Sequence, residues 1–141
     1  MKKLNILFTI LALAAFTVSC ETYDDYDTDR ETVVGFTTAS KNINNVPEGG
    51  TKSSTVDLFI SDVSSVDRTF SIELVDDLTD TAPENYTYDA TVTFLADTRE
   101  ASITVTAVDV TITDERTFFG LAVKAENGAV SGGRTSVGLK N

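Results

Sequence analysis

From Val33 onward, apolar side chains recur at every second position, and nowhere do they hold helical spacing over three turns. That feature restricts the chain to strands. Successive side chains of a strand point to opposite faces, so alternation marks a ribbon with one buried face. Val34 and Phe36 share a face in residues 33–38, and Val56, Leu58 and Ile60 do so in residues 55–60. The same period joins Phe70, Ile72 and Leu74, then Val92 and Phe94, then Ile103 and Val105. Phe119, Leu121 and Val123 follow, and Val137 and Leu139 close the series. A short piece in residues 42–46 is expected to pair with a sheet edge.

Between these runs lie Pro47-Glu48-Gly49-Gly50, residues 62–65, Asp76-Asp77, residues 82–85, residues 96–98, Asn127-Gly128 and Gly132-Gly133. Glycine and small polar residues supply the positive φ angles and local hydrogen bonds that reverse a chain, and both glycine pairs are expected to be hairpin turns. Seven or eight short strands at this spacing predict a single all-β, antiparallel, immunoglobulin-like β-sandwich over residues 33–141. With no tryptophan and one cysteine, its core must rest on phenylalanine and aliphatic packing. The two halves show no internal repeat.

The sequence opens Met1-Lys2-Lys3, runs apolar from Leu4 to Val18, and turns abruptly acidic after Ser19-Cys20. A charged start, a short apolar run and a small residue before the cut form the secretory pattern, which assigns residues 1–19 to a signal peptide. Thr17-Val18-Ser19-Cys20 resembles the lipobox of bacterial lipoproteins, although Thr17 stands where leucine is usual. The resemblance implies that Cys20 becomes the first mature residue and carries acyl chains, each contributing about 0.8 kcal/mol per buried CH₂ to a membrane anchor. The alternative is ordinary cleavage near Ala14 or Ala15, which would leave Cys20 a free thiol. Residues 20–32 hold six carboxylates, one arginine and a single aliphatic-free acidic run up to Glu31, the composition of a solvated tether. An acidic cluster behind the lipidated cysteine also resembles the surface-export signal of Bacteroidetes lipoproteins. That implies a lipid-anchored position on the outer membrane, exposed at the cell surface; a plain spacer is the alternative.

Without Lys2 and Lys3 the mature chain has nine basic residues against twenty-two acidic ones, a formal charge of −13 over 122 residues. Nucleic acid is not an expected partner, because polyphosphate binding needs a basic face and the cations here are scattered singly. The sequence has no histidine, which excludes a Ser-His-Asp triad, a Cys-His dyad and a histidine-bound zinc site. Carboxylate-pair chemistry stays formally open, but a small sandwich offers little room for a deep pocket. The chain is therefore expected not to be an enzyme.

Three pieces in order carry a further likeness: Val46-Pro47-Glu48-Gly49-Gly50, residues 82–94 (APENYTYDATVTF), and residues 103–109 (ITVTAVD) leading to Asp114-Glu115-Arg116-Thr117-Phe118-Phe119. Together they resemble the Calx-β domain of sodium–calcium exchangers, integrins and bacterial surface proteins. The chain also resembles small immunoglobulin-like lipoprotein domains of Bacteroidetes. The first resemblance implies calcium ligands from the glutamate of the first turn, from an Asp-Tyr pair and from a run of aspartates. Here Glu48 matches the first, Asn85-Tyr86 stands for the pair, and Asp109-Val110-Thr111 keeps one acid of the run. Glu48, Asp89, Asp109, Asp114 and Glu115 are the acids left to converge, a weak calcium site at best, since affinity follows the number of charged oxygens. Solvated loop acids are the expected alternative, with no cofactor.

These features point to a non-enzymatic, surface-anchored lipoprotein whose sandwich serves adhesion, scaffolding or accessory binding among envelope proteins. A carbohydrate-binding accessory of a glycan-uptake system is the second expectation. It would need an exposed aromatic platform, for which Tyr23, Tyr26, Tyr86 and Tyr88 are candidates. Asp80-Thr81-Ala82 resembles a short O-glycosylation motif of exported Bacteroidetes proteins.

Overall fold

The computed structural model describes residues 30–141, so the expected signal peptide, Cys20 and the acidic run up to Asp29 lie outside the described residues. Residues 31–141 form one compact unit of ten strands. These are β1 (Thr32–Phe36), β2 (Ser40–Ile43), β3 (Thr51–Ile60), β4 (Arg68–Val75), β5 (Tyr86–Tyr88), β6 (Thr91–Phe94), β7 (Glu100–Val108), β8 (Thr117–Val123), β9 (Ala129–Ser131) and β10 (Thr135–Leu139). They build two five-stranded sheets, ordered β5-β7-β3-β1-β9 and β2-β10-β8-β4-β6. The architecture is the all-β sandwich that the alternation predicts.

The strand count corrects the expected seven or eight, and the reason is geometric. β1 and the short piece that follows it, β2, lie in different sheets, and the last run, β10, is preceded by an unexpected short strand, β9, in the other sheet. Residues 86–94 form β5 on one sheet and β6 on the other, with Asp89-Ala90 between them. Each break is a place where the chain passes from sheet to sheet, and the pieces left at the edges are too short to show a period. Two of the edge pairings are parallel, β1 with β9 and β2 with β10, while all the others are antiparallel.

The core follows the alternation. Every expected inward residue is buried except Leu74, which is half-buried against the cluster. Phe70, Phe94 and Phe119 are the largest fully buried side chains. Phe70 and Phe94 meet edge to face at 6.0 Å on the neighbouring strands β4 and β6. Such an arrangement sets the positive ring edge against the negative face and adds about 0.5–1.5 kcal/mol beyond burial.

The turns divide by chemistry. In Pro47-Gly50 the Gly50 amide donates to the Pro47 carbonyl at 2.8 Å, and Gly49 takes φ +63°, a conformation costly for a residue with a Cβ. Asn127 and Gly128 both have positive φ, 56° and 77°, which is a type I′ turn closed by the Ala129 amide on the Glu126 carbonyl. The Glu126 carboxylate reaches back to accept the Ser71 amide at 2.6 Å, and these Ser71 hydrogen bonds hold its carboxyl below the usual carboxylate range.

Gly132-Gly133 is not the expected hairpin turn. It carries the chain between sheets while continuing the β1 ladder: the Gly132 amide donates to the Val34 carbonyl at 2.7 Å and the Phe36 amide to the Gly133 carbonyl at 2.8 Å.

The strand directions give the sandwich two ends. At the Thr32 end lie the loops over residues 61–67, 95–99 and 124–128. At the far end lie residues 44–50, residues 76–85 with their two 3₁₀ turns, and residues 109–116.

Candidate functional site

The far end gathers residues 46–50, 82–85 and 109–116 of the segments that carry the Calx-β likeness, and its geometry is fixed by Asp109 and Asn85. Asp109 follows β7 directly and is half-buried. Its Oδ2 accepts the Gly49 amide at 2.8 Å, its Oδ1 accepts the Ile112 amide at 3.1 Å, and its own amide donates to the Gly50 carbonyl. One carboxylate thus ties the Pro47-Gly50 turn to the β7–β8 loop.

Asn85 is 4 % exposed. Its Oδ1 accepts the Val110 and Thr111 amides at 3.2 and 2.9 Å, and its Nδ2 donates to Thr111 Oγ1 at 2.8 Å. Buried polar atoms cost several kcal/mol when unpaired. The side-chain amide here satisfies the Thr111 amide and shares the Val110 amide with the Val108 carbonyl at 3.1 Å. Further out, Arg116 Nη2 and Lys52 Nζ converge on Asn44, through its Oδ1 at 2.8 Å and its carbonyl at 2.6 Å.

The five sequence-identified acids do not form one cluster. Glu48 is exposed on the first turn and shares with Asp109 a shallow groove of about 490 Å³, also lined by Val46, Ile112 and Asn141. Asp114 and Glu115 are exposed in the β7–β8 loop. Asp89 is elsewhere, and its expected convergence is corrected: its Oδ2 accepts the Thr104 amide at 2.7 Å, at the middle of β7. Five extended residues separate Thr104 from Asp109, about 16 Å at strand rise. The cause is the β5–β7 pairing, which opposes Tyr88 to Val105 and so carries Asp89 away from the far end.

Among the described residues, no three His, Cys, Asp or Glu side chains come together as a group able to hold a metal ion. The donors present do not fit calcium. Both Asp109 oxygens and the Asn85 oxygen already face N–H groups, and calcium asks for six to eight oxygens with several charged. Hydrogen bonds stand where the resemblance implied a cation. Asn85→Ala is accordingly expected to destabilise the domain by about 1–3 kcal/mol, through the loss of three hydrogen bonds made by a buried side chain. Millimolar calcium should leave the melting temperature of the unaltered protein unchanged, and a calcium-dependent rise would refute this reading.

The tyrosines are equally specific. Tyr86 is buried and stacks on Phe119 with centroids 4.2 Å apart and planes 7° from parallel. Burial first, then the neighbouring Tyr88 and Asp76, raises its phenol pKa above the ordinary value. Tyr88 is partly buried against the same cluster, 6.4 Å from Tyr86. Neither forms an exposed platform, and Tyr23 and Tyr26 lie outside the described residues. Thr81 of the glycosylation-like tripeptide is 5 % exposed with its hydroxyl enclosed, so the folded chain does not present it. Sequence reasoning missed the latch role of Asn85, whose only signal was an asparagine where the resemblance implied an aspartate.

No protein-family model matches the chain, and no curated protein matches it in sequence. Solved structures do match. A domain described as the apo form of Calx CBD1 superposes with a TM-score of 0.60 at 12% identity, over 79% of this chain and 97% of that one. A protein from Bacteroides ovatus, described as a "putative carbohydrate binding protein", gives 0.62 at 12% identity, over 77% of this chain. A two-domain protein of unknown function from Bacteroides fragilis gives 0.60 at 11% identity, over 78% of this chain. The chain spans only 36% and 45% of those two Bacteroides proteins. At such identities the likeness establishes fold: the chain is a Calx-β-like, immunoglobulin-like β-sandwich.

Proposed function

We propose that this protein is a non-enzymatic lipoprotein, held on the outer membrane through Cys20 and exposing its sandwich at the cell surface as an adhesion, scaffolding or accessory binding module. The observation that carries this reading is the order of parts in the sequence. An expected signal peptide runs up to the sole cysteine, an acidic run follows, and after it comes a sandwich whose sequence has no histidine. Support comes also from the fold, which is a binding scaffold in many settings, although fold alone does not dictate function. Surface glycans are the second class of partner, favoured by the likeness to the Bacteroides ovatus protein. Such binding would draw on residues other than Tyr86 and Tyr88, whose rings pack inward.

The test is Cys20→Ser. The unaltered protein should fractionate with membranes, and the variant should appear in the soluble fraction or stall as an uncleaved precursor. Equal membrane partitioning of the two would overturn the anchor.

A further inference from the structure

The described residues include five large apolar side chains that are markedly exposed, and three of them share the Thr32 end. Val63 is 46% exposed and Val66 65% in the β3–β4 loop, and Leu95 is 61% exposed at the start of the β6–β7 loop. The two loops are joined: the Asp97 amide donates to the Ser64 carbonyl at 2.8 Å, and the Ala96 amide to Asp67 Oδ1 at 2.7 Å. The other two exposed residues, Leu78 and Val110, sit singly on separate segments of the far end.

The tether joins the sandwich at this same end. The Val33 amide donates to Ser61 Oγ at 2.8 Å and the Ser61 amide to the Val33 carbonyl at 2.8 Å, so β1 begins beside the β3–β4 loop. Thr32 lies twelve positions after Cys20, a reach of at most about 40 Å when fully extended.

The folded loops of the two ends differ in charge, while the acidic run of residues 21–31, six carboxylates against Arg30, also leads into the Thr32 end. Residues 61–68, 95–99 and 124–128 hold four acids (Asp62, Asp67, Asp97, Glu126) against three cations (Arg68, Arg99, Lys124). Asp62 is further paired with Arg68 at 3.0 Å. The far-end segments 44–50, 76–85, 109–116 and 140–141 hold eight acids against two cations.

We propose that the Thr32 end is a membrane-facing surface, with Val63, Val66 and Leu95 as aliphatic tips that enter the lipid interface and set the far end outward. Apolar side chains gain by leaving water at the headgroup and acyl boundary, and a covalent anchor raises their local concentration there. The proposal rests on the anchor at Cys20, and its test separates the two.

The full lipidated chain is reconstituted into phosphatidylcholine–phosphatidylethanolamine vesicles with brominated acyl chains. A polarity-sensitive fluorophore is attached at Val66→Cys or, for comparison, at Val110→Cys. The expected result is co-flotation of both proteins, with bromine quenching at position 66 about twofold or more greater than at position 110. Flotation with equal, weak quenching at both positions would overturn the orientation and leave the anchor standing. Failure to float would overturn both. A blue-shifted probe at position 66 without bromine quenching would mean that a second copy, not lipid, covers this end, and would also overturn the proposal. A variant with Val63→Asp, Val66→Asp and Leu95→Asp should keep its flotation and its melting temperature, since all three positions are exposed. Lysine-reactive labelling of Lys124, at the same end, should rise in that variant by about twofold, as lipid ceases to cover it.

Discussion

Phe119→Ala is expected to destabilise the domain by about 3–5 kcal/mol, a large share of the 5–15 kcal/mol that holds a domain of this size. Phe119 is fully buried on β8, opposite Val137 of β10. Its ring stacks on Tyr86, which comes from β5 at the edge of the other sheet. Alanine would therefore leave a cavity and also remove the aromatic contact between the sheets. The chain has no second cysteine and no tryptophan to take over that link. Urea denaturation should show a lower midpoint with an unchanged slope, which reports stability lost without a change in the surface exposed. A loss below about 1 kcal/mol would mean that the core collapses around the gap and that the stack adds little.

Gly35→Ala should cost about 2–3 kcal/mol although it adds one methyl group, because overpacking against backbone cannot be relieved by a rotamer change. A Cβ on Gly35 would stand 2.5 Å from the Gly133 nitrogen and 2.9 Å from the Gly132 carbonyl carbon. One on Gly133 would stand 2.7 Å from the Phe36 carbonyl oxygen. The two segments approach so closely because both lack side chains there, and hydrogen bonds on either side of Gly35 hold them in place. Amide exchange at Phe36 and Gly132 should quicken in the variant more than at Val105, deep in β7. Uniform acceleration would instead indicate a loss of global stability with no local prying at this contact.

The alternation in the sequence determined which side chains face inward, because parity survives whatever the sheet order. Val56, Leu58 and Ile60 had to share a face once residues 55–60 were extended. Sheet membership is a different matter. Nothing local distinguishes a glycine pair that turns a hairpin from one that passes between sheets, so Gly132-Gly133 became legible only with the β1 ladder beside it. Strands β5 and β9 have three residues each, less than two periods of alternation. The acids of the far end were partly legible. Glu48 and Asp109 do line one groove, because the turn and the loop that carry them adjoin paired ends of β3 and β7. Asp89 does not, because its position follows from a register that no motif encodes. The role of Asn85 depends on three hydrogen bonds at once, and those exist only after the loops have met.

The position of β1 has a mechanical consequence. It is hydrogen-bonded along both sides, antiparallel to β3 and parallel to β9, and the polypeptide leads into it from the N-terminal direction. A pull transmitted through that segment along the strand axis strains both ladders in shear, so their bonds share the load and do not peel open one by one. Forced unfolding is governed by the unfolding rate. A domain loaded through β1 from its N-terminal side would thus unfold more slowly under force than one held by a strand paired along a single edge.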